Sequence, residues 1–230
     1  DVESIGLYGE GYAVGAVVVS RRAIPRGEQP LPIYSRTGIE LPVSLRDHVL
    51  DWCLFACHPD NAVGKPGDRM WVTRNCPWIE INCESPLEVR VKFWLFWQQW
   101  RAQGAVIAAD CGWPVEAQFL LTVARETALD PKGSPYPVHE IATSLLSAGM
   151  DPVGTYPREE EEKPVHHPLR DAFQSARLFL TSLNKTENRT TVAELSAPPT
   201  QDEMHSFLRA AGTIVGRCTV CGEQWSSCIC

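Results

Sequence analysis

Residues 12–20 (YAVGAVVVS) form a short run of apolar, largely β-branched positions, the pattern of a strand buried on both faces. Residues 31–36 (LPIYSR) follow across a stretch containing Gly and Pro, and are expected to pair with that run as a hairpin. Between residues 40 and 55 the apolar positions recur at helical spacing, which predicts a helix there. A stronger helix is predicted over residues 85–103 (SPLEVRVKFWLFWQQWRAQ). Ser85 supplies its N-cap, Pro86 its first turn, Glu88 the N3 carboxylate and Gly104 the stop. Phe93, Trp94, Phe96, Trp97 and Trp100 run along it; such a stripe could stack bases, but at helical spacing it reads as core. Residues 105–110 (AVIAAD) then read as a short strand ending on a carboxylate, with Pro114 at the start of the next helix. Two further helices are expected over residues 137–148 and 166–183, with the acidic run 159–162 as a solvated loop between them. Residues 184–201 turn polar, with Pro198-Pro199, and read as a linker. A short helix over 202–211 leads into a Cys-rich end. Strands alternating with helices in this way imply an α/β protein.

Composition narrows the function. The chain has 230 residues, 44% of them hydrophobic and 21% charged, which suits one folded domain with an appendage, or two small domains. Lys and Arg total 21 against 28 Asp and Glu, a net charge of −7. Nothing global therefore draws the chain to nucleic acid or to an anionic membrane, and a phosphate-rich substrate must be held locally, by metal ions or a basic patch. No apolar run approaches the ~18–20 residues of a membrane span. No secretory leader is visible at Asp1-Val2-Glu3, so a cytoplasmic, intracellular location is expected. Of the nine cysteines, Cys53, Cys57, Cys76, Cys83 and Cys111 are scattered through apolar segments, where reduced core thiols are common. The other four, Cys218, Cys221, Cys228 and Cys230, crowd the end of the chain with Gly222 after the first pair. Four thiolates satisfy one tetrahedral structural zinc ion, and disulfides or an unstructured tail are the alternatives.

Three sets of residues could carry chemistry. Asp1 and Glu3 alternate along an extended segment and so share a face, an arrangement that suits a hard divalent cation and equally an exposed polar strand. Asp110 stands at a strand end and Glu116 in the first turn of a helix, where a carboxylate also serves the helix dipole. His166 and Asp171, followed by Ala172, open the helix over 166–183, and each could be an ordinary surface group.

In this order the three sets resemble the motifs of the DEDDh exonucleases, the branch of the ribonuclease H-like superfamily that includes proofreading exonucleases, oligoribonuclease and ribonuclease T. Asp1-x-Glu3 is similar to that family's first motif, and His166-x4-Asp171-Ala172 to its last. The middle motif departs: Val115-Glu116 stands where the family has Phe-Asp ahead of Phe119-Leu120, and an extra acid, Asp110, precedes it. The family's first strand also begins a few residues ahead of its Asp, where this sequence has none. The resemblance covers residues 1–183 and implies a mixed sheet with an antiparallel hairpin edge and helices on both faces. It implies a 3′-to-5′ exonuclease acting on single-stranded or frayed 3′ ends of RNA or DNA. Two Mg²⁺ or Mn²⁺ ions would be held by Asp1, Glu3, Asp171 and one of Asp110 or Glu116, with His166 as general base and His167 as scaffold. Arg69, Arg74, Arg90 and Lys92 are candidates for contact with the substrate backbone, or plain surface charges. Two alternatives remain: a catalytically inactive copy of the fold that binds nucleic acid or protein, and a zinc-dependent regulator.

Overall fold

The apolar run becomes the middle of a three-stranded antiparallel sheet, in the order β1 (Val2–Ser4), β2 (Gly11–Val19), β3 (Val49–Ala56). The structure, a computed structural model, describes residues 1–25, 39–76, 79–110, 112–127 and 133–192, the last five by their backbone alone. Asp1–Thr186 form one unit and Glu187–Cys230 a second, of which only the end of a helix is described. The expected helix over 40–55 is not formed: a 3₁₀ turn, Val43–Leu45, precedes β3. Apolar residues in VLDWCLFA fit helical and strand periods alike. The long edge of β2, pairing with β3 from Ala13 to Val19, supplies the partner that decides for a strand. The segment first expected to pair with β2, residues 31–36, lies outside the described residues.

Helices cover both faces of this sheet. After α1 (Pro66–Asn75) comes α2 (Pro86–Arg101), capped by Ser85, whose Oγ accepts the Glu88 N–H at 3.3 Å. Its chain turns away at Gly104, in the left-handed region at φ +86°. Phe93, Phe96, Trp97 and Trp100 are buried, so the aromatic stripe is core. It packs on the face that carries Val14, Ala16 and Cys53, where Trp100 Nε1 donates to the buried Asp51 carboxylate at 3.2 Å.

Beyond α2 lie β4 (Ile107–Ala109), α3 (Ala117–Thr127), β5 (Val138–Glu140), α4 (Ile141–Ser147) and α5 (Pro168–Val192). The helix expected from residue 137 thus begins as a strand, because Val138–Glu140 pairs in parallel with β4. Leu169, Phe173, Ala176 and Leu180 of α5 bury against the other sheet face, with Val17, Trp52 and Leu54. Among the described residues the strands make two sheets, one antiparallel and one parallel, rather than one mixed sheet. The architecture is α/β.

Two polar segments also differ from expectation. The acidic run is a 3₁₀ turn, Glu160–Glu162, and Glu162 is 0% exposed. Its carboxylate accepts from Arg177 Nε at 2.6 Å and Nη2 at 2.7 Å and from the Glu159 N–H at 2.9 Å. Only such complete pairing makes a buried carboxylate tolerable. The expected linker 184–201 begins instead as the last turns of α5, since NKTENRTTV contains neither Gly nor Pro to stop a helix. The rest of that linker, the expected helix over 202–211, Cys111 and the four C-terminal cysteines lie outside the described residues. Cys53, Cys57, Cys76 and Cys83 are free thiols. Among the described residues no helix is long and apolar enough to cross a membrane.

Candidate metal centre

Strand alternation places Asp1 and Glu3. Glu3 lies opposite Ala13, while Asp1 N donates to the Gly15 carbonyl at 2.8 Å and receives Gly15 N–H on its own carbonyl at 3.0 Å. Both therefore share the face of Ala13, Gly15 and Val17, which α5 covers. Gly15 is what lets α5 come close: a Cβ there would lie 2.2 Å from Leu169 N and 2.3 Å from the Pro168 carbonyl carbon. This backbone contact carries the residues just before and inside the first turn of α5 onto β1. Ligand atoms of Glu3, His166 and Asp171 consequently all fall within 4.8 Å of one another.

The other two acids come from the parallel strands' end of the unit. Asp110 directly follows β4, and Glu116 closes an irregular turn, Gly112–Glu116, whose Gly112 N–H is held by Glu140 Oε1 at 3.1 Å. The Glu116 carboxylate accepts the backbone N–H of Val2, which ties that turn to β1. With Asp1, these two acids border a cavity of about 340 Å³. Glu3 feels Asp171 and Glu116, Glu116 feels Asp110, and Asp110 feels Asp171, so four carboxylates close into an electrostatic ring. Burial, and after it the Asp171 charge, pushes Glu3 up to about 8. Burial is also the main cause raising Asp110 and Glu116 above the usual carboxylate range. Asp1 Oδ2 is buried with no hydrogen-bond partner.

Around this ring stand the two histidines of the last motif and residues that the sequence patterns passed over, Asp68, Trp71 and Arg158. His166 is exposed, holds a left-handed φ of +60°, and meets the edge of Trp71 with ring centroids 5.4 Å apart. Trp71 belongs to α1, as does Asp68, which a Cβ at Gly6 would strike; Cys76, at the end of α1, donates its thiol to Glu3 Oε2 at 3.8 Å. Asp68, Trp71 or Val72, and Cys76 repeat at three to four residues, so one face of α1 walls the site. Burial, then Glu3, pushes the Cys76 thiol up to about 11, so it is protonated at neutral pH. Arg158 Nη1 sits 2.5 Å from Asp171 Oδ1 and 2.8 Å from the Glu162 carbonyl. His167 is half-buried with its Nδ1 unpartnered, and burial lowers its pKa. The sequence signals for α1 were Pro66 at its first turn, Asp68 after it and Arg74 in its last turn, with no apolar stripe between them; Arg158 left none.

The expected backbone-contact residues divide. Arg90 is buried and paired with Glu10 at 2.8 Å and Glu126 at 2.5 Å, Arg69 is bonded to the Ala62 carbonyl at 2.9 Å, and Lys92 pairs with Glu88 at 2.7 Å. These three are structural. Arg74 is exposed. In comparisons with protein-family models, curated proteins and solved structures, no match to this chain was found.

The donor set fits a hard divalent cation. Carboxylate oxygens suit Mg²⁺ or Mn²⁺, and the adjacent imidazole is then left outside the ligand set. A buried carboxylate oxygen without a partner, and three carboxyls whose ionisation is disfavoured, describe a charge deficit that a cation would fill.

Proposed function

We propose that this protein is a metal-dependent 3′-to-5′ exonuclease of the DEDDh type, acting on single-stranded or frayed ends of RNA or DNA. The observation that carries the reading is the convergence of Glu3, His166 and Asp171, from opposite ends of the described chain, within 4.8 Å beside a ring of acids. Asp1, Glu3, Asp171 and one of Asp110 or Glu116 would hold Mg²⁺ or Mn²⁺. When bound, the ions supply neutralisation of the scissile phosphate and activation of the attacking water. His166, solvent-facing and steadied by the edge of Trp71, takes the proton from that water. Arg158 fixes the Asp171 carboxylate through Oδ1, and Oδ2 would serve an ion.

The test is incubation of 5′-labelled single-stranded RNA and DNA with Mg²⁺, Mn²⁺ or EDTA. A ladder shortening from the 3′ end only with metal is expected. Glu3→Ala and Asp171→Ala should abolish it, and His166→Ala should slow it by ~10²–10⁴-fold while His167→Ala acts only through stability. Alanine at Asp110 and at Glu116, separately, assigns the fourth carboxylate. Activity that survives EDTA or both ligand substitutions removes the reading.

One observation favours a second reading, a catalytically inactive fold that binds nucleic acid. Arg158 already supplies a positive charge to Asp171 at 2.5 Å. Binding of the labelled strands without turnover in any metal would select it.

A further inference from the structure

The clustered carboxylates already have one fixed cation among them. Arg158 reaches them from the segment just ahead of the acidic turn, and that turn sets its place. Its Nη1 donates to Asp171 Oδ1 at 2.5 Å and to the Glu162 carbonyl at 2.8 Å. The turn is in its own right clamped to α5 at two levels. Arg170 Nη1 donates to the Glu161 carbonyl at 2.9 Å, while Arg177 grips the buried Glu162 carboxylate and donates from Nη2 to the Pro157 carbonyl at 2.8 Å. Asp171 belongs to the same helix. Guanidinium and carboxylate are thus braced by one element, and their side chains are only 19% and 15% exposed.

The place of this charge bears on how many ions the site can take. Ligand atoms of Glu3 and His166 come within 4.8 Å of Asp171. Asp110 feels the charges of both Asp171 and Arg158, so the guanidinium acts on the strand-end acid and the helix acid together. A divalent ion shared by those two acids would have to settle beside a fixed positive charge. A guanidinium does not lose its proton at any ordinary pH, so that repulsion is permanent.

Arg158 also has donors to spare. Both of its bonds leave from Nη1, and among the described residues Nε and Nη2 have no acceptor. Phosphate oxygens match such a fork in charge and in geometry.

We propose that Arg158 is the second cation of this site: one divalent ion binds at Glu3 and Asp171 Oδ2, and the guanidinium takes the place of another, meeting a phosphate oxygen of the substrate through Nε or Nη2. The inference rests on the exonuclease reading and narrows its two ions to one. The ion activates the water, and the guanidinium shares the negative charge that builds on the phosphate.

Counting Mn²⁺ on the full chain near neutral pH tests this, by calorimetry and electron paramagnetic resonance together, since neither needs turnover. The unaltered chain should take up about one ion and show the signal of an isolated Mn²⁺. Arg158→Gln should take up a second, ~4 Å from the first, and show spin coupling between them. Arg158→Lys keeps the charge and should stay at one. Where labelled strands are shortened, the rate should rise to first order in Mn²⁺ for the unaltered chain and to second order for Arg158→Gln. Two coupled ions in the unaltered chain overturn the proposal, because the guanidinium would then have yielded as a plain ion pair does. A single ion in Arg158→Gln, or first-order dependence in both, overturns it equally. If Arg158→Gln does not fold, the counts on the unaltered chain and on Arg158→Lys decide, and two ions in either overturn the proposal. Absence of any bound ion overturns it together with the metal centre. One ion in the unaltered chain and two in Arg158→Gln, with no strand shortened by either, support the exchange of cations and remove the exonuclease reading alone.

Discussion

Glu3 shows how a single residue couples the fold to the charge of the candidate site. Its carboxyl is pushed up to about 8, chiefly by burial and then by Asp171, so the ion-free fold holds a proton there that the unfolded chain releases near pH 4.5. A group raised in this way contributes stability that is present below the unfolded pKa and is lost as pH rises through the folded one. In EDTA, therefore, the melting temperature should fall between about pH 5 and pH 8. Glu3→Gln should flatten that slope, and Mn²⁺ should reverse it by displacing the proton. Calorimetric titration with Mn²⁺ at pH 7 in buffers of different ionisation enthalpy should register proton release that Glu3→Gln abolishes. Arg158 makes the complementary case. Its removal leaves Asp171, 15% exposed in its side chain, without its cation, and Arg158→Ala should cost roughly 1–3 kcal/mol in urea unfolding. Added Mn²⁺ should recover most of that loss, because both cations answer the same carboxylate.

At the scale of elements, the site depends on one helix end pressing on one strand. Gly15→Ala places a methyl within 2.4 Å of the Leu169 Cα and closer still to the Leu169 nitrogen. Backbone cannot step aside as a flexible side chain would, so α5 must shift and carry His166 and Asp171 away from Glu3. Destabilisation of ~1–3 kcal/mol, as for other overpacked sites, should come with a weakened Mn²⁺ affinity measured by calorimetry. The acidic turn offers a paired contrast. Glu162→Ala breaks a buried ion pair with Arg177 and should cost ~3–5 kcal/mol, while Glu160→Ala, at an 84% exposed side chain, should leave the melting temperature nearly unchanged. The sequence pattern could not separate these neighbours. A run of four acids reads as solvated, and the guanidinium that buries one of them lies 15 residues further on.

For the whole molecule, the net charge of −7 and the clustered carboxylates oppose any polyanion. Affinity for single-stranded nucleic acid should therefore be weak in EDTA and rise at least ~10-fold with Ca²⁺, an ion with the charge to bridge phosphate and carboxylate. Fluorescence anisotropy with a labelled oligonucleotide checks this. Strong binding that ignores both chelator and cation would place recognition elsewhere on the surface.

Much was legible locally. Ser85, Pro86, Glu88 and Gly104 bound α2 because capping is a property of neighbouring residues. The β-branched run of β2 and the strand end at Asp110 follow from period and composition in the same way. The helix expected over residues 40–55 became β3 because a short apolar segment satisfies two periods, and only the open edge of β2 chooses between them. The α1 wall of Trp71 and Cys76, the guanidinium of Arg158 and the close approach at Gly15 arise where segments far apart in the chain meet. The sequence by itself determined the α/β class and those elements whose ends are set by neighbouring residues, and it offered the candidate residues for chemistry. Their convergence, with Glu3, His166 and Asp171 in one place, was decided by tertiary packing, since burial and charge coupling exist only once distant segments share the same low-dielectric space.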